Sequence, residues 1–452
     1  TGTAIWIDPF SKTYVIILTN AVHAGRHGDV IPLRAKIATI AAAAFGRMPT
    51  HEEIENRLSE TGYYELLYGF RAPRLRNDKV QPGIAVLEDQ YFAPLQGLHV
   101  GLITNASGRD LNGKRTIDVL AHAPGVKLTA IFSPEHGLYG TAEGSVPSTR
   151  DAATGLPVYS LFGATRRPAP EMMEGLTALV YDIQAVGVRY YTFITTMKYC
   201  LEAAAKHRIP MFVLDRPDPI GGVVVQGPML EPGLVSFVGP FPMPLRYGMT
   251  MGELAEMINQ EDHIGADLRV VKMTGWNRND WYDETGLDWV NPSPNLRNLT
   301  EEILYPALGM IEYSNISVGR GTDTPFEVMG APWIDGRALA AYLNERQIQG
   351  IRFIPVDFTP TAAKFKGELC HGVNIQVLSR RALDSPELGI EIAAALWRLY
   401  PGQFKLDPSL KLIGSQKVID ELKAGRNPRA IAQDWITEMH PFLAIRRKYL
   451  LY

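Results

Sequence analysis

The chain reads as α/β, with a mostly parallel sheet buried on both faces and a second, smaller mixed α/β unit after it. Three short apolar runs carry that expectation: Leu128–Phe132, Leu176–Tyr181 and Met211–Leu214. Each is continuous, rich in β-branched or aromatic residues, and set off from the next by a helical stretch, which is the pattern of parallel strands covered on both faces. Each also leads into an acid where a strand gives way to a loop: Glu135, Asp182 and Asp215. In open α/β sheets ligands bind beyond the carboxyl ends of the strands, so the three carboxylates are expected to face one crevice. Such a set suits acid/base chemistry on a neutral or sugar-like substrate, or a metal site.

Length and composition narrow the choice. At 452 residues the chain is too long for one ordinary core, so two or more domains are expected. An apolar fraction of 46% with 21% charged residues is that of a soluble globular protein. A net charge of −3 gives no basic footprint for nucleic acid, and no apolar run has the length of a membrane span. Cys200 and Cys370 fall in an expected helix and an expected strand, without C-x-x-C spacing, and read as buried free thiols. The opening Thr1-Gly-Thr-Ala-Ile-Trp has neither an initiator Met nor a leader, the mark of a processed chain or a fragment.

The elements follow in order. Residues 3–7 and 13–18 flank Asp8-Pro9-Phe10-Ser11-Lys12 and read as a β-hairpin, with an Ala-rich helix over 33–45 behind it. Residues 1–48 resemble the last two strands and closing helix of the serine β-lactamase/penicillin-binding fold. No Ser-x-x-Lys occurs anywhere in the chain, so this piece carries no acyl-serine chemistry of its own. Residues 49–84 form a connector. Over 85–244 the rhythm is strand His99–Asn105, helix Arg115–His122, strand Leu128–Phe132, strand Leu176–Tyr181, helix Thr192–His207 and strand Met211–Leu214. The second unit, 245–452, opens on the capping box Thr250-Met-Gly-Glu253. Strands are expected there at Leu268–Met273, Arg352–Val356 and Gly372–Leu378, and helices at Gly389–Leu399 and Pro428–Met439. The loops 136–158 and 274–298 exceed what a simple connection needs, and long loops in compact domains are usually functional.

Among the motifs, Gly108-Arg-Asp-Leu-Asn-Gly113-Lys114 has a phosphate-loop outline, but Arg115 stands where magnesium coordination needs Ser or Thr. No Gly-x-Gly-x-x-Gly marks the first strand–helix turn, so no dinucleotide cofactor is expected. Ser133-Pro-Glu135-His136-Gly137 is the strongest local signal: Pro134 stiffens the strand end, Gly137 allows a sharp turn, and Glu135 is held between them as a general acid. Asp182, Gln184, Tyr190 and Tyr191 share one strand-to-helix loop, with groups that hydrogen-bond sugar hydroxyls and stack on sugar faces. Asp215-Arg216 reads either as a site pair or as a local ion pair. Arg320 stands between two glycines in a polar loop with Thr322 and Glu327, suited to a two-pronged carboxylate contact, and Asn295 lies in the rigid Asn291-Pro-Ser-Pro-Asn295 turn. The histidines show no metal-ligand spacing, and neither metal nor cofactor is expected.

Taken together, Ser133-Pro-Glu-His-Gly137, Tyr181-Asp-Ile-Gln184, Leu214-Asp-Arg-Pro217, Gln226-Gly-Pro228, Pro292-Ser-Pro-Asn295, Gly319-Arg-Gly-Thr322 and Gly330-Ala-Pro-Trp333 resemble the exo-β-N-acetylmuramidases, glycoside hydrolase family 171. The likeness runs from about Gly83 to the C-terminus. It implies a Rossmann-like domain with a smaller C-terminal domain, a site in the cleft between them, and release of N-acetylmuramic acid from the non-reducing ends of peptidoglycan fragments in a periplasmic or secreted setting. It implies Glu135 as a catalytic acid with Asp182 or Asp215 as its partner. His136, Gln184, Tyr190, Tyr191, Arg216, Gln226, Asn295, Arg320, Thr322 and Glu327 become the substrate contacts, and Arg320 or Arg216 the reader of the lactyl carboxylate. Ala185 and Gln226 stand where relatives usually carry acids. They keep open a non-catalytic peptidoglycan-binding module, and the β-lactamase-like segment over 1–48 keeps open a third reading, an accessory part of a β-lactamase-like esterase or amidase. No oligomeric state is implied.

Overall fold

The computed structural model describes residues 79–452 together with two strands, β1 (Ala4–Asp8) and β2 (Thr13–Ile17). Those two pair antiparallel, Ala4 with Ile17 through Asp8 with Thr13, as the hairpin pattern predicts. The helix expected over 33–45 and most of the connector lie outside the described residues. Contacts divide the chain into two compact units, Thr1–Pro73 and Arg74–Tyr452.

In the second of these, seven strands form one sheet. They are β3 (His99–Thr104), β4 (Lys127–Ser133), β5 (Thr149–Arg150), β6 (Pro157–Ser160), β7 (Ala178–Asp182), β8 (Met211–Leu214) and β11 (Leu268–Val271), in the spatial order β11-β8-β7-β3-β4-β6-β5. Only the two-residue β5 runs antiparallel to its neighbour. From β3 the chain builds outward through β4 and β6, then crosses back to build through β7, β8 and β11. That is the strand order of a doubly wound Rossmann sheet, whose switch point lies between β3 and β7.

The apolar runs fit because both faces are covered. Val100, Leu102, Ala178, Val180, Phe212 and Leu214 point to one buried cluster, whereas Ile103, Leu179, Tyr181, Met211 and Val213 point to the other. A side-chain period of two thus feeds two cores at once. Helices α1 (Gly83–Asp89) and α2 (Thr116–Ala121) cover the first face, and α3 (Phe193–His207) and α4 (Met251–Glu261) the second.

Two points differ from the sequence reading. The strand expected early in the second unit, β11, pairs parallel with β8, Leu268 opposite Met211, and so extends the first sheet. Between β8 and α4 an unforeseen hairpin joins β9 (Gln226–Met229) and β10 (Pro244–Arg246). The capping box at α4 is present as read: the Thr250 side chain accepts from the Glu253 N–H, and the Glu253 carboxylate accepts from the Thr250 N–H.

The C-terminal part holds a three-stranded antiparallel sheet, β12 (Val328–Ala331), β14 (Cys370–Val377) and β13 (Ile351–Phe358) in spatial order. Helix α6 (Gly336–Glu345) packs on this sheet, α7 (Ser385–Leu399) packs on α6, and α5 (Leu299–Leu308) packs on α7. Fully buried Arg189 fastens this part to the loop after β7. Its Nη1 donates to the Pro228 and Met243 carbonyls at 2.8 and 2.9 Å, and its Nη2 to the Ile413 carbonyl at 2.7 Å. Cys200 and Cys370 are both buried and free. Among the described residues no helix is long and apolar enough to cross a membrane.

Candidate active site

Glu135 follows β4 directly after Pro134, and the chain then turns through two successive left-handed residues, His136 at φ 69° and Gly137 at φ 72°. Glycine takes that conformation freely, and His136 is held in it. Its Nδ1 bonds the Ala142 carbonyl at 2.8 Å, and the Ala142 N–H donates back to the His136 carbonyl at 3.1 Å. Glu135 is thereby fixed at the rim of the sheet. Thr192, immediately before α3, donates its hydroxyl to Glu135 Oε2 at 2.5 Å.

Glu135 and His136 line a cavity of about 310 Å³. One wall is aromatic: Tyr190 meets Tyr305 edge-on at 5.1 Å between centroids, and Tyr305 meets Phe326 at 4.9 Å. The hydroxyls of Tyr190 and Tyr191 donate to the carbonyls of Tyr305 and Pro292, at 2.6 and 2.8 Å. With their polar ends engaged, these residues offer ring surface, the complement of the apolar face of a sugar. Tyr313, 47% exposed, stands at the mouth.

The rest of the wall is charged. Arg320 is ion-paired through Nε to Glu312, with Nη2 donating to Glu312 Oε2 at 3.2 Å, and its guanidinium lies 5.4 Å from the centre of the Phe326 ring. Burial works against the Arg320 charge, but Glu312 beside it more than compensates and pushes its pKa upward. Glu143 is the third carboxylate of the cavity. Asn295 donates to it at 3.1 Å, so the rigid Pro292–Asn295 turn acts on the site through Glu143.

The other sequence candidates lie elsewhere, and two of them correct the expected catalytic set. Asp182 has no exposed surface; Arg216 grips it through Nε to Oδ1 at 2.5 Å and Nη2 to Oδ2 at 2.9 Å, and the Thr116 hydroxyl donates to Oδ2 at 2.5 Å. Asp215, equally buried, accepts from the Thr250 hydroxyl at 2.6 Å, the Gly252 N–H at 2.8 Å and the Tyr452 hydroxyl at 2.8 Å. Neither lines the cavity of Glu135. The reason is position in the sheet. Asp182 ends β7 at the switch point, beside the end of β3 and the loop that follows it: the hydroxyl of Thr104, the last residue of β3, donates to the Asp182 carbonyl, and Arg216 also donates to the carbonyl of Arg109 in that loop. The crevice that would hold a nucleotide is filled by the protein's own ion pair, and a buried carboxylate there must be partnered.

Arg216 is therefore a structural partner rather than a carboxylate reader. Gln184 donates its amide to the Ala185 and Pro217 carbonyls at 2.9 and 2.7 Å, stitching two loops together. Thr322 shapes the turn of the Arg320 loop, its hydroxyl donating to the Gly319 carbonyl at 2.7 Å. Glu327 stands outside the cavity, and its carbonyl accepts from the Ile375 N–H at 2.7 Å. Gln226 lines a different cavity and accepts from Arg246 at 3.0 Å. Ala185 is packed in the apolar core.

The cavity thus joins Glu135, His136, Tyr190, Tyr191 and Arg320 of the expected set, with Asn295 one bond behind it. It adds Thr192, Glu143 and Glu312. Glu143 lies in the long 136–158 loop, whose length was its only signal, and Glu312 had none.

Two predictions arise here. Asp182→Ala leaves Arg216 buried without its carboxylate, and breaking such a pair typically costs about 3–5 kcal/mol. Chemical denaturation of wild type and variant checks this, and an unchanged midpoint would contradict a structural role. The second concerns pH. Burial raises Asp218 to about 7 and Asp215 to about 6. Their folded-state pKa values lie above the unfolded value, so the stability they contribute is full below about pH 4 and is lost as pH rises toward 7. Asp218→Asn is expected to flatten the upper part of that decline, read as unfolding free energy from pH 4 to 8; an unaltered slope would contradict the assignment.

Comparison with known proteins gives a consistent picture. The family described as exo-β-N-acetylmuramidase NamZ matches the chain twice, through its N-terminal domain over residues 100–300 and its C-terminal domain over 303–452. The peptidoglycan β-N-acetylmuramidase NamZ of Bacillus subtilis is 43% identical over 382 residues, covering 83% of this chain and 92% of that protein. Two crystal structures of DUF1343 family proteins from Bacteroides fragilis are also similar. One is 37% identical with a TM-score of 0.76, covering 84% of this chain and all of the other. The second is 29% identical with a TM-score of 0.69, covering 82% and 99%.

Proposed function

This chain belongs to the NamZ family of exo-β-N-acetylmuramidases, and from that premise we propose that its glycoside hydrolysis takes place in the Glu135 cavity. The substrate is a peptidoglycan fragment ending in N-acetylmuramic acid at its non-reducing end. Glu135 donates a proton to the glycosidic oxygen as the bond from that oxygen to the sugar C1 breaks. Glu143 is the second carboxylate, either attacking C1 or activating the water that does so. In both routes water supplies the new C1 hydroxyl, and the leaving sugar departs as an alcohol. Glu312 serves to orient Arg320, whose fork receives the lactyl carboxylate, while the Tyr190 and Tyr305 rings support the sugar face.

The observation that supports this most is a shared cavity holding an oriented carboxylate, Glu135 with Thr192, together with an oriented guanidinium, Arg320 with Glu312. The two positions that favoured a non-catalytic module, Ala185 and Gln226, lie outside it. The test is turnover of a chromogenic N-acetylmuramic acid glycoside against the matching N-acetylglucosamine glycoside. Hydrolysis of the first with little of the second supports the reading; equal rates, or binding without release of the chromophore, would overturn it.

A further inference from the structure

A second cavity, of about 180 Å³, opens among the loops after β8, the β10 strand and residues 278–281 and 380–383. Four arginines line it, Arg246, Arg278, Arg380 and Arg381, and no aspartate or glutamate does. The acids that hold these side chains are not part of the wall. Glu253 accepts from Arg278 Nη1 at 2.5 Å and Nη2 at 3.1 Å, and Asp283 and Glu284 accept from Arg380 at 2.8 and 3.2 Å. The Arg278 and Arg380 guanidinium groups are thus fixed in place while the cavity wall itself presents no carboxylate.

Arg246 is the key residue. It is 4% exposed, its Nη1 donates to Gln226 Oε1 at 3.0 Å and its Nη2 to the Ile220 carbonyl, but its Nε has no acceptor among the described residues. Asp218 and Asp384 favour its charge from nearby, yet burial outweighs them and lowers its pKa. A buried N–H without an acceptor carries the full cost of its lost hydration. That nitrogen is closed off from the cavity, whereas Nη1 and Nη2 each carry a second N–H from which an oxygen of an incoming anion can accept a charge-assisted bond. Below the arginines, the Trp281 ring lies 5.4 Å from the Arg246 guanidinium and 4.8 Å from that of Arg380. Val223 and Val224, 51% and 39% exposed, add an apolar lip. An oxyanion with a small apolar body matches both features, and this site is separate from the Glu135 cavity.

We propose that this cavity binds a small carboxylate such as that of an acylated amino acid, through the Arg246 and Arg380 guanidinium groups, with the apolar body of the ligand against Trp281 and Val224. Gln226 is essential to that capacity, because an acid in its place would itself occupy Arg246.

The test is calorimetric titration of the full chain at low ionic strength with N-acetyl-D-alanine, its carboxamide and inorganic phosphate. N-acetyl-D-alanine is expected to bind at least about tenfold more tightly than its amide, the scale of one charge-assisted bond. Phosphate, which has no apolar body, is expected to bind more weakly than the acyl carboxylate. Two variants locate the effect. Gln226→Glu, nearly isosteric, is expected to abolish binding, with the ligand-free melting temperature showing that the fold survives. Val224→Glu, on the exposed lip, is expected to weaken binding while leaving hydrolysis of muramic-acid glycosides unchanged. Equal affinity for carboxylate and amide, phosphate binding as tightly as the carboxylate, no binding of either anion, or full affinity in both variants would overturn the proposal.

Discussion

Glu135→Gln is expected to lower kcat for muramic-acid glycosides by about 10²–10⁴-fold, the usual contribution of a positioned acid. The melting temperature is expected to move by no more than about 1–2 °C, because a substitution that preserves shape and hydrogen bonding changes stability little. The Thr192 hydroxyl that donates to the carboxylate can donate equally to the amide oxygen. The His136–Ala142 bonds that fix the turn do not involve the residue 135 side chain. The variant therefore removes a proton and leaves the scaffold. Activity within about tenfold of wild type would show that the proton comes from elsewhere.

Arg320→Lys carries the second large effect. Lysine keeps a positive charge near Glu312 but loses the planar fork, so a two-pronged contact with the lactyl carboxylate becomes a point contact. Charge-assisted hydrogen bonds contribute about 1.5–3 kcal/mol, so kcat/KM on muramic-acid glycosides is expected to fall by about ten- to a hundredfold relative to glucosamine glycosides. Using the ratio of the two substrates cancels any general disturbance of the cavity, including release of Glu312. An unchanged ratio would remove Arg320 from lactyl recognition, and Arg216 could not replace it, being held by Asp182.

What the sequence disclosed and what it concealed follow from the range of the interactions. The capping box at Thr250 and the stiffened turn around Glu135 are local, and both are present as read. The central strands were legible because burial on both faces leaves the runs almost wholly apolar, Thr129 and Thr177 being the exceptions near their starts. Asp182 and Asp215 carry the same local signature as Glu135, an acid at a strand end. They differ only in their neighbours: the end of β3 and Arg216 enclose one, and the α4 N-terminus with Tyr452 encloses the other. Tyr452 lies 237 residues from Asp215, and no window on the sequence could join them. The same holds for Glu312, which enters the cavity only through folding of the C-terminal part against the sheet. The place of β11 beside β8 was hidden for a related reason, since parallel strands pair across an intervening helix.

The central claim, that Glu135 protonates the leaving group, is tested most directly by varying that group. Wild type and Glu135→Gln are compared on two muramic-acid glycosides, one with a poor alcohol leaving group and one with a dinitrophenolate that departs without a proton. The account predicts a deficit of about 10²–10⁴-fold on the first, shrinking to within about tenfold on the second. An equal deficit on both would contradict it, because a residue whose loss is felt regardless of the leaving group is not the acid.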